Sequence, residues 1–339
     1  MPRFTRPLTL LATALFVAIP TITASAAGKG ANLTLVAYST PQASYAQIIP
    51  AFEATPAGSG VTFSTSYGAS GTQTSAVIAG LKADVVNLSL QPDMTRLVNA
   101  GIVSGSWSSH AQSKYGGMVT NSIVVFVVRP GNPKHIKTWN DLLKKGVDVI
   151  TPNPFTSGGA RWNVMAAYGA WRKAGATKNQ AIAKLTKLFR NVSVQDTSAR
   201  NALQTFLSGK GDVLLSYENE AYAAKKLGQP IAYLSPKNTI LIQNPVAVTT
   251  HTAYPAQASA FVKFLYTPAA QTLFAKNGYR PVMPSVFKKF ASVFPVKKLN
   301  IFKITDRLLG GWKKVQPQFF NPKNGIMAKI EAQVGGVTG

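Results

Sequence analysis

The chain contains no cysteine, only three histidines, and 11 acidic residues against 36 lysines and arginines in 339 positions. Without cysteine no disulfide can form and no lipid can be attached through a thiol. The histidines, His110, His135 and His251, do not pair at a metal-ligand spacing, so nothing in their pattern announces a metal centre. Internal repeats and low-complexity tracts are also missing, which removes solenoid architectures. Long apolar runs are scarce. The stretch from Leu8 to Ile22 is interrupted by Pro20 and falls short of the roughly 20 apolar residues that cross a bilayer. Preceded by Arg3 and Arg6 and followed by Ala24-Ser25-Ala26, it reads as an export signal, residues 1–26, cleaved before Ala27.

The shortage of acids leaves a formal net charge of +25. Lysines and arginines recur towards the C-terminus, at Lys288, Lys289, Lys297, Lys298, Lys303, Arg307, Lys313 and Lys314, but they are spread through the whole chain. No aromatic-interleaved RNA motif accompanies them, and export removes access to nucleic acid. A solvated basic surface is the preferred reading. A secreted interaction protein that binds polyanions is the alternative. Depletion of acids also suits exposure to low pH, where native ion pairs fail as carboxylates lose their charge.

What remains after the leader is large enough for two domain-sized cores. Strand-like runs at Leu33–Tyr38, Val61–Ser66, Val85–Leu90, Ile123–Val128, Val147–Ile150, Val213–Tyr217 and Val246–Thr250 alternate with helical patterns, as in an α/β chain. Three helix starts stand out. Thr151–Asn163 reads T-P-N-P-F-T-S-G-G-A-R-W-N: the prolines hold the approach extended, and Ser157, Gly158 and Gly159 lead into an amphipathic run from Ala160 to Ala174. The N–H groups at such a start lack intrahelical partners and carry the positive end of the helix dipole, and glycine lets a bulky anion approach them. Ser157 is either a further donor to that anion or simply the N-cap. Tyr67–Ala79 (Y-G-A-S-G-T-Q-T-S-A-V-I-A) has the same character with Ser70, and Val194–Phe206 offers Asp196, Thr197 and Ser198 as caps. A serine hydrolase is a poorer reading. No histidine stands near Ser157 in the sequence, so no catalytic residues, and no enzyme, are expected.

These segments, together with G-L-K-A-D-V-V-N-L-S-L (80–90), V-V-R-P-G-N-P-K (127–134), D-T-S-A-R (196–200), G-D-V-L-L-S-Y-E-N-E-A (211–221), N-G-Y-R-P (277–281) and G-G-W (310–312), resemble the sulfate- and thiosulfate-binding proteins of bacterial ABC importers over nearly all of the chain after residue 30. The resemblance implies an α/β, two-lobed periplasmic-binding-protein fold of type II with ligand in the interlobe cleft, no cofactor, no metal, a monomer, and delivery of sulfate or thiosulfate to membrane permease subunits from the periplasm. Molybdate or another tetrahedral oxyanion is the alternative ligand.

Implied ligands are the Ser39 N–H, the Ser70 hydroxyl, Ser157 through hydroxyl and N–H, the N–H groups of Gly158, Gly159 and Ala199, and Tyr217. Tyr217 replaces the tryptophan of relatives, exchanging a pure donor for a group that donates or accepts. Ser39 replaces an aspartate. Arg161 and Arg200 are expected behind the ligand, tied to carbonyls or to acids such as Asp196. On the family plan the first lobe is 27–122 with a return at 244–290, the second is 123–243, and 291–339 forms a C-terminal helical segment packed on the lobes.

Overall fold

In the computed structural model the chain divides after Gly30, and the fold occupies Ala31–Gly339. The structure describes residues 1–2, 30–109, 113–294, 296 and 299–336. The expected export signal, apart from residues 1–2, and His110 lie outside the described residues.

The strands are β1 (Asn32–Tyr38), β2 (Thr62–Gly68), β3 (Val85–Asn87), β4 (Met118–Val128), β5 (Val149–Ile150), β6 (Val192–Val194), β7 (Val213–Tyr217), β8 (Ala232–Leu234), β9 (Asn238–Val248), β10 (Arg280–Pro281) and β11 (Asn300–Phe302). The helices are α1 (Gln42–Glu53), α2 (Ser70–Ile78), α3 (Gln91–Asn99), α4 (Gly158–Lys173), α5 (Lys178–Arg190), α6 (Ala199–Leu207), α7 (Glu218–Lys226), α8 (Pro255–Leu265), α9 (Pro268–Lys276), α10 (Pro284–Lys289), α11 (Trp312–Phe320) and α12 (Ile326–Val334).

The strand order is β2-β1-β3-β9-β4-β7-β5-β6. At one end β1 runs parallel to β2 and β3, and at the other β5 runs parallel to β6 and β7. The inner strands β1, β3, β5 and β7 are largely apolar because both of their faces are covered, whereas the outer strands β2 and β6 carry exposed polar residues. Leu33, Leu35, Val36 and Ala37 of β1 are fully buried, as are Ile123 to Val127 of β4.

The two longest strands, β4 and β9, contain the positions 123 and 244 at which the family plan changes lobe. Each is shared between the two groups. β9 pairs antiparallel with β3 through Val246–Val248 and with β4 through Leu241–Pro245, while β4 continues from Val124 to Val128 against β7. The register shifts between Met118 and Thr120, opposite Pro245, where a proline leaves a ladder donor missing.

Most expected strands change their ends: Val61–Ser66 shifts to Thr62–Gly68, Val147–Ile150 shortens to Val149–Ile150, and Ile123–Val128 begins at Met118. The Val85–Leu90 run stops at Asn87, and the Val246–Thr250 run is the tail of an eleven-residue strand. Four short strands (β6, β8, β10 and β11) lie below the length at which alternation can be read. In the basic C-terminal segment, α11 meets α3 and α12 meets α5. Trp312 supplies part of that docking by packing edge-on against Trp162 of α4, ring centroids 4.8 Å apart.

Candidate functional site

In an open parallel sheet, ligand-binding residues gather beyond the carboxyl ends of the strands, where the following helices begin. That rule accounts for the convergence seen here. Ser39 follows β1, Ser70 opens α2 after β2, and Ser89 follows β3. From the other group, Ser157–Gly159 open α4 after β5, Ala199 opens α6 after β6, and Tyr217 closes β7.

These residues line one cavity with about 170 Å³ of empty space, and Tyr38 and Ala69 complete its wall. All seven residues implied as ligands, Ser39, Ser70, Ser157, Gly158, Gly159, Ala199 and Tyr217, therefore meet at one place, though up to 178 positions separate them in the chain (39 to 217).

The loop before α4 is built by its own polar groups. Asn153 Oδ1 accepts from Phe155 N at 2.8 Å, the Ser157 N–H donates to Asn153 O at 2.9 Å, and Asn153 N donates to Asp196 O at 2.8 Å. Ser157 is the N-cap, its hydroxyl oxygen accepting from Ala160 N at 3.4 Å. The two readings of Ser157 are thus compatible, because a capping oxygen keeps its proton for another acceptor. Its N–H, by contrast, is engaged by Asn153. Among the described residues no acceptor is paired with the N–H groups of Ser39, Ser70, Gly158, Gly159 or Ala199. The last four belong to the first turns of α2, α4 and α6, where intrahelical partners do not exist.

Ser70 departs from the implied role. Its hydroxyl donates to Asp93 Oδ2 at 2.6 Å and accepts from Ser89 N at 3.0 Å, so its proton is directed to a buried carboxylate. The free group of Ser70 is its N–H.

The glycines at 158 and 159 also have a reason beyond anion approach. A Cβ on Gly158 would lie 2.4 Å from Ser89 Oγ, and one on Gly159 would lie 2.8 Å from Tyr217 Cε2. They make room for a hydroxyl pair, since Ser89 Oγ and Tyr217 Oη are 2.7 Å apart. Ser89 escaped the sequence reading because it was placed inside a strand that ends two residues earlier. Its own segment, N-L-S-L, carries no cap or glycine signal.

Cationic side chains stand around the cavity already paired. Arg161, buried on α4, donates through Nε to Pro154 O at 2.8 Å and places Nη1 3.6 Å from Asp93 Oδ1. Arg200 grips Glu220 with two bonds of 2.9 Å and reaches Thr40 O at 3.3 Å. Arg280 holds Glu218 through bonds of 2.6 and 2.9 Å. The arginines tie down carbonyls as expected, but the acids they meet are Asp93 and Glu220. Asp196 instead accepts from the Thr205 hydroxyl at 3.0 Å.

Burial raises the Glu218 and Glu220 carboxyls above their ordinary values despite their arginine partners, and it lifts Tyr217 well above the usual phenol value. Burial likewise pushes Tyr38 up to about 12. Both phenols are neutral hydrogen-bonding groups at neutral pH. The cavity wall is therefore made of uncharged N–H and O–H groups, which suits an acceptor-rich anion.

Comparison with known proteins agrees with this geometry. Residues 33–280 match the family described as bacterial extracellular solute-binding protein. The chain is 44% identical to a sulfate-binding protein of Synechococcus elongatus, covering 91% of this chain and 89% of that one. It is 36% identical to a thiosulfate-binding protein of Pseudomonas aeruginosa, covering 87% and 91%. Among solved structures, the sulfate-binding protein of Mycobacterium tuberculosis superimposes with a TM-score of 0.82 at 43% identity, covering 86% of this chain and all of that one.

Proposed function

Because the chain belongs to the bacterial extracellular solute-binding proteins, in their sulfate- and thiosulfate-binding branch, we propose that it captures sulfate or thiosulfate and presents it to the permease subunits of an ABC importer. It is a binding protein rather than an enzyme, exported to the periplasm and acting as a monomer. The lobes follow the two strand groups: 27–122 with the return 244–290 on one side, 123–243 on the other, with β4 and β9 as the crossings and 291–339 packed outside.

The observation that carries this reading is one cavity lined by five residues whose backbone N–H groups have no acceptor among the described residues, with the neighbouring arginines all paired. A sulfate dianion offers only acceptors, and preorganised N–H dipoles at three helix starts stabilise it without a counter-charge. Hydrogen bonds to a charged group each contribute about 1.5–3 kcal/mol. Placing the dianion beside unpaired arginines would bind it through charge alone and distinguish poorly among anions; neutral donors read the protonation state. A proton on the ligand that finds no acceptor costs about 1–3 kcal/mol.

Calorimetry of the mature protein with sulfate, thiosulfate, phosphate and molybdate tests the proposal. One sulfate or thiosulfate per chain is expected, bound more tightly than phosphate. No heat from either sulfur oxyanion, with retention on DNA or another polyanion, would replace this reading with the basic interaction protein.

A further inference from the structure

Among the hydroxyls at the cavity, one pair can reverse its direction. Ser89 Oγ and Tyr217 Oη share a buried hydrogen bond of 2.7 Å in which either oxygen can be the donor. Neither oxygen can retreat. Ser89 is pinned by its backbone, with N donating to Ser70 Oγ at 3.0 Å and O accepting from Trp162 Nε1 at 3.0 Å and from Asn244 Nδ2 at 2.9 Å. Tyr217 is 2% exposed and packs on Tyr38, with ring centroids 6.2 Å apart. Only the protons are free to move.

Resting on the reading of the cavity as an oxyanion site, we infer that Ser89 is a specificity-determining residue, and that with Tyr217 it admits a tetrahedral oxyanion that carries one proton, such as HPO₄²⁻, beside the fully ionised sulfate. Two hydroxyls hold two protons, and their mutual bond uses one. When Ser89 donates to Tyr217, the Tyr217 proton points to the ligand, and a dianion without hydrogen meets a donor. When Tyr217 donates to Ser89, its oxygen is free to accept the proton of the ligand while the Ser89 proton turns to a ligand oxygen. The second arrangement pairs the hydrogen that a wall of pure donors would leave stranded.

The other serines lack a partner hydroxyl with which to exchange direction: Ser70 Oγ donates to the Asp93 carboxylate and accepts from Ser89 N, and Ser157 Oγ accepts from Ala160 N.

Ser89 matters here even though Tyr217 touches the ligand proton. Tyr217 can accept from the ligand only if its own proton has somewhere to go, and Ser89 Oγ is the acceptor 2.7 Å away. With alanine at position 89 the Tyr217 proton has lost its acceptor at 2.7 Å and turns to the ligand, which sets Tyr217 as a donor. Hydrogenphosphate therefore loses more from this change than sulfate does.

The experiment is competitive calorimetry at about pH 8, where inorganic phosphate is largely HPO₄²⁻, on the mature protein and its Ser89→Ala and Tyr217→Phe variants. In the wild type, phosphate should bind and be displaced by sulfate. Ser89→Ala should lower phosphate affinity by about tenfold or more beyond any loss of sulfate affinity, the difference being one hydrogen bond to a charged group. Tyr217→Phe should weaken both.

Wild-type protein that binds sulfate but shows no competition from phosphate overturns the inference and leaves the oxyanion site standing. Equal losses for both anions in Ser89→Ala also overturn it, since a merely structural role for Ser89 would not separate them. Failure of the wild type to bind sulfate at all would sink the oxyanion reading itself. The wild-type competition needs no variant, so it decides the matter even if Ser89→Ala folds poorly.

Discussion

Gly158→Ala separates closure of the cleft from stability of the fold. A Cβ at this position would sit 2.4 Å from Ser89 Oγ, 2.6 Å from Ser89 Cβ and 2.6 Å from Leu90 Cδ2. Carbon contacts are relaxed at about 3.5–4.0 Å, so the two sides must part by roughly 1 Å. Ser89 cannot yield, because three backbone hydrogen bonds hold it, and Leu90 is fully buried. Forcing a methyl group into such a contact costs about 1–3 kcal/mol.

On the proposed lobe plan, Gly158 belongs to one side of the cleft and Ser89 to the other, so the clash exists only when the lobes are together. Alanine is also a better helix residue than glycine by about 0.8–1 kcal/mol, but that gain is present in open and closed forms alike and cancels in the binding equilibrium. Sulfate affinity should therefore fall about 5- to 150-fold while the melting temperature without sulfate holds or rises. Calorimetry and thermal melts of the same preparation check both halves. Gly169→Ala serves as the control: its Cβ would lie 2.3 Å from Phe302 Cε2, inside the core whatever the lobes do, so it should lower the melting temperature and spare the affinity of the folded protein. Wild-type sulfate affinity in Gly158→Ala would refute the argument that this helix start closes against Ser89.

Ser157→Ala should cost about 1 kcal/mol of stability through loss of the N-cap and a further 1.5–3 kcal/mol of sulfate affinity through loss of the donor, measured by melts and titration respectively. Ser70→Ala should act differently from Ser157→Ala, lowering stability by leaving the buried Asp93 carboxylate without its 2.6 Å partner and changing affinity less; equal affinity losses in the two variants would place the Ser70 proton on the ligand after all. Burial raises the Glu331 carboxyl, with the bond from Gln195 Nε2 pulling the other way. The ionised form is then the disfavoured one in the fold, so the stability withheld at neutral pH returns as pH falls through the raised value. Glu331→Gln should melt roughly 2 °C higher than wild type at about pH 7, with the gap closing as pH drops below the ordinary carboxylate range; a gap that widens on acidification would reverse the sign. Finally, the net charge of +25 should make sulfate capture slow several-fold as salt rises from about 10 to 150 mM, while release changes less than about twofold, because the field that steers the anion is screened and the closed cavity is not; stopped-flow rates distinguish this from an open surface site, where both would change.

Local chemistry explains what could be read along the chain. A helix start announces itself within four or five residues, through a cap, small residues and the apolar period behind them, so Ser157–Gly159 were visible as donors without any fold, whereas Ala199 was implied only by the family resemblance. The apolar runs of β1, β4 and β7 were visible for a similar reason: strands covered on both faces need no partner in sequence to be recognised. Absence of cysteine and the dispersed positive charge likewise bounded the class of protein directly.

Only the tertiary structure decided who faces whom. Asp93 lies 23 positions from Ser70 and takes its proton; Glu220 rather than Asp196 receives Arg200; Ser89 meets Tyr217 across 128 positions. Each pairing depends on where a strand ends and how the two strand groups are set by β4 and β9, and a single residue of shift would aim those side chains elsewhere. Glycine at 158 shows the difference most plainly. Its flexibility at a helix start was legible in the sequence, but the reason no Cβ is tolerated there is a serine brought from the other strand group, and distance in the chain conceals such a contact until the fold closes it.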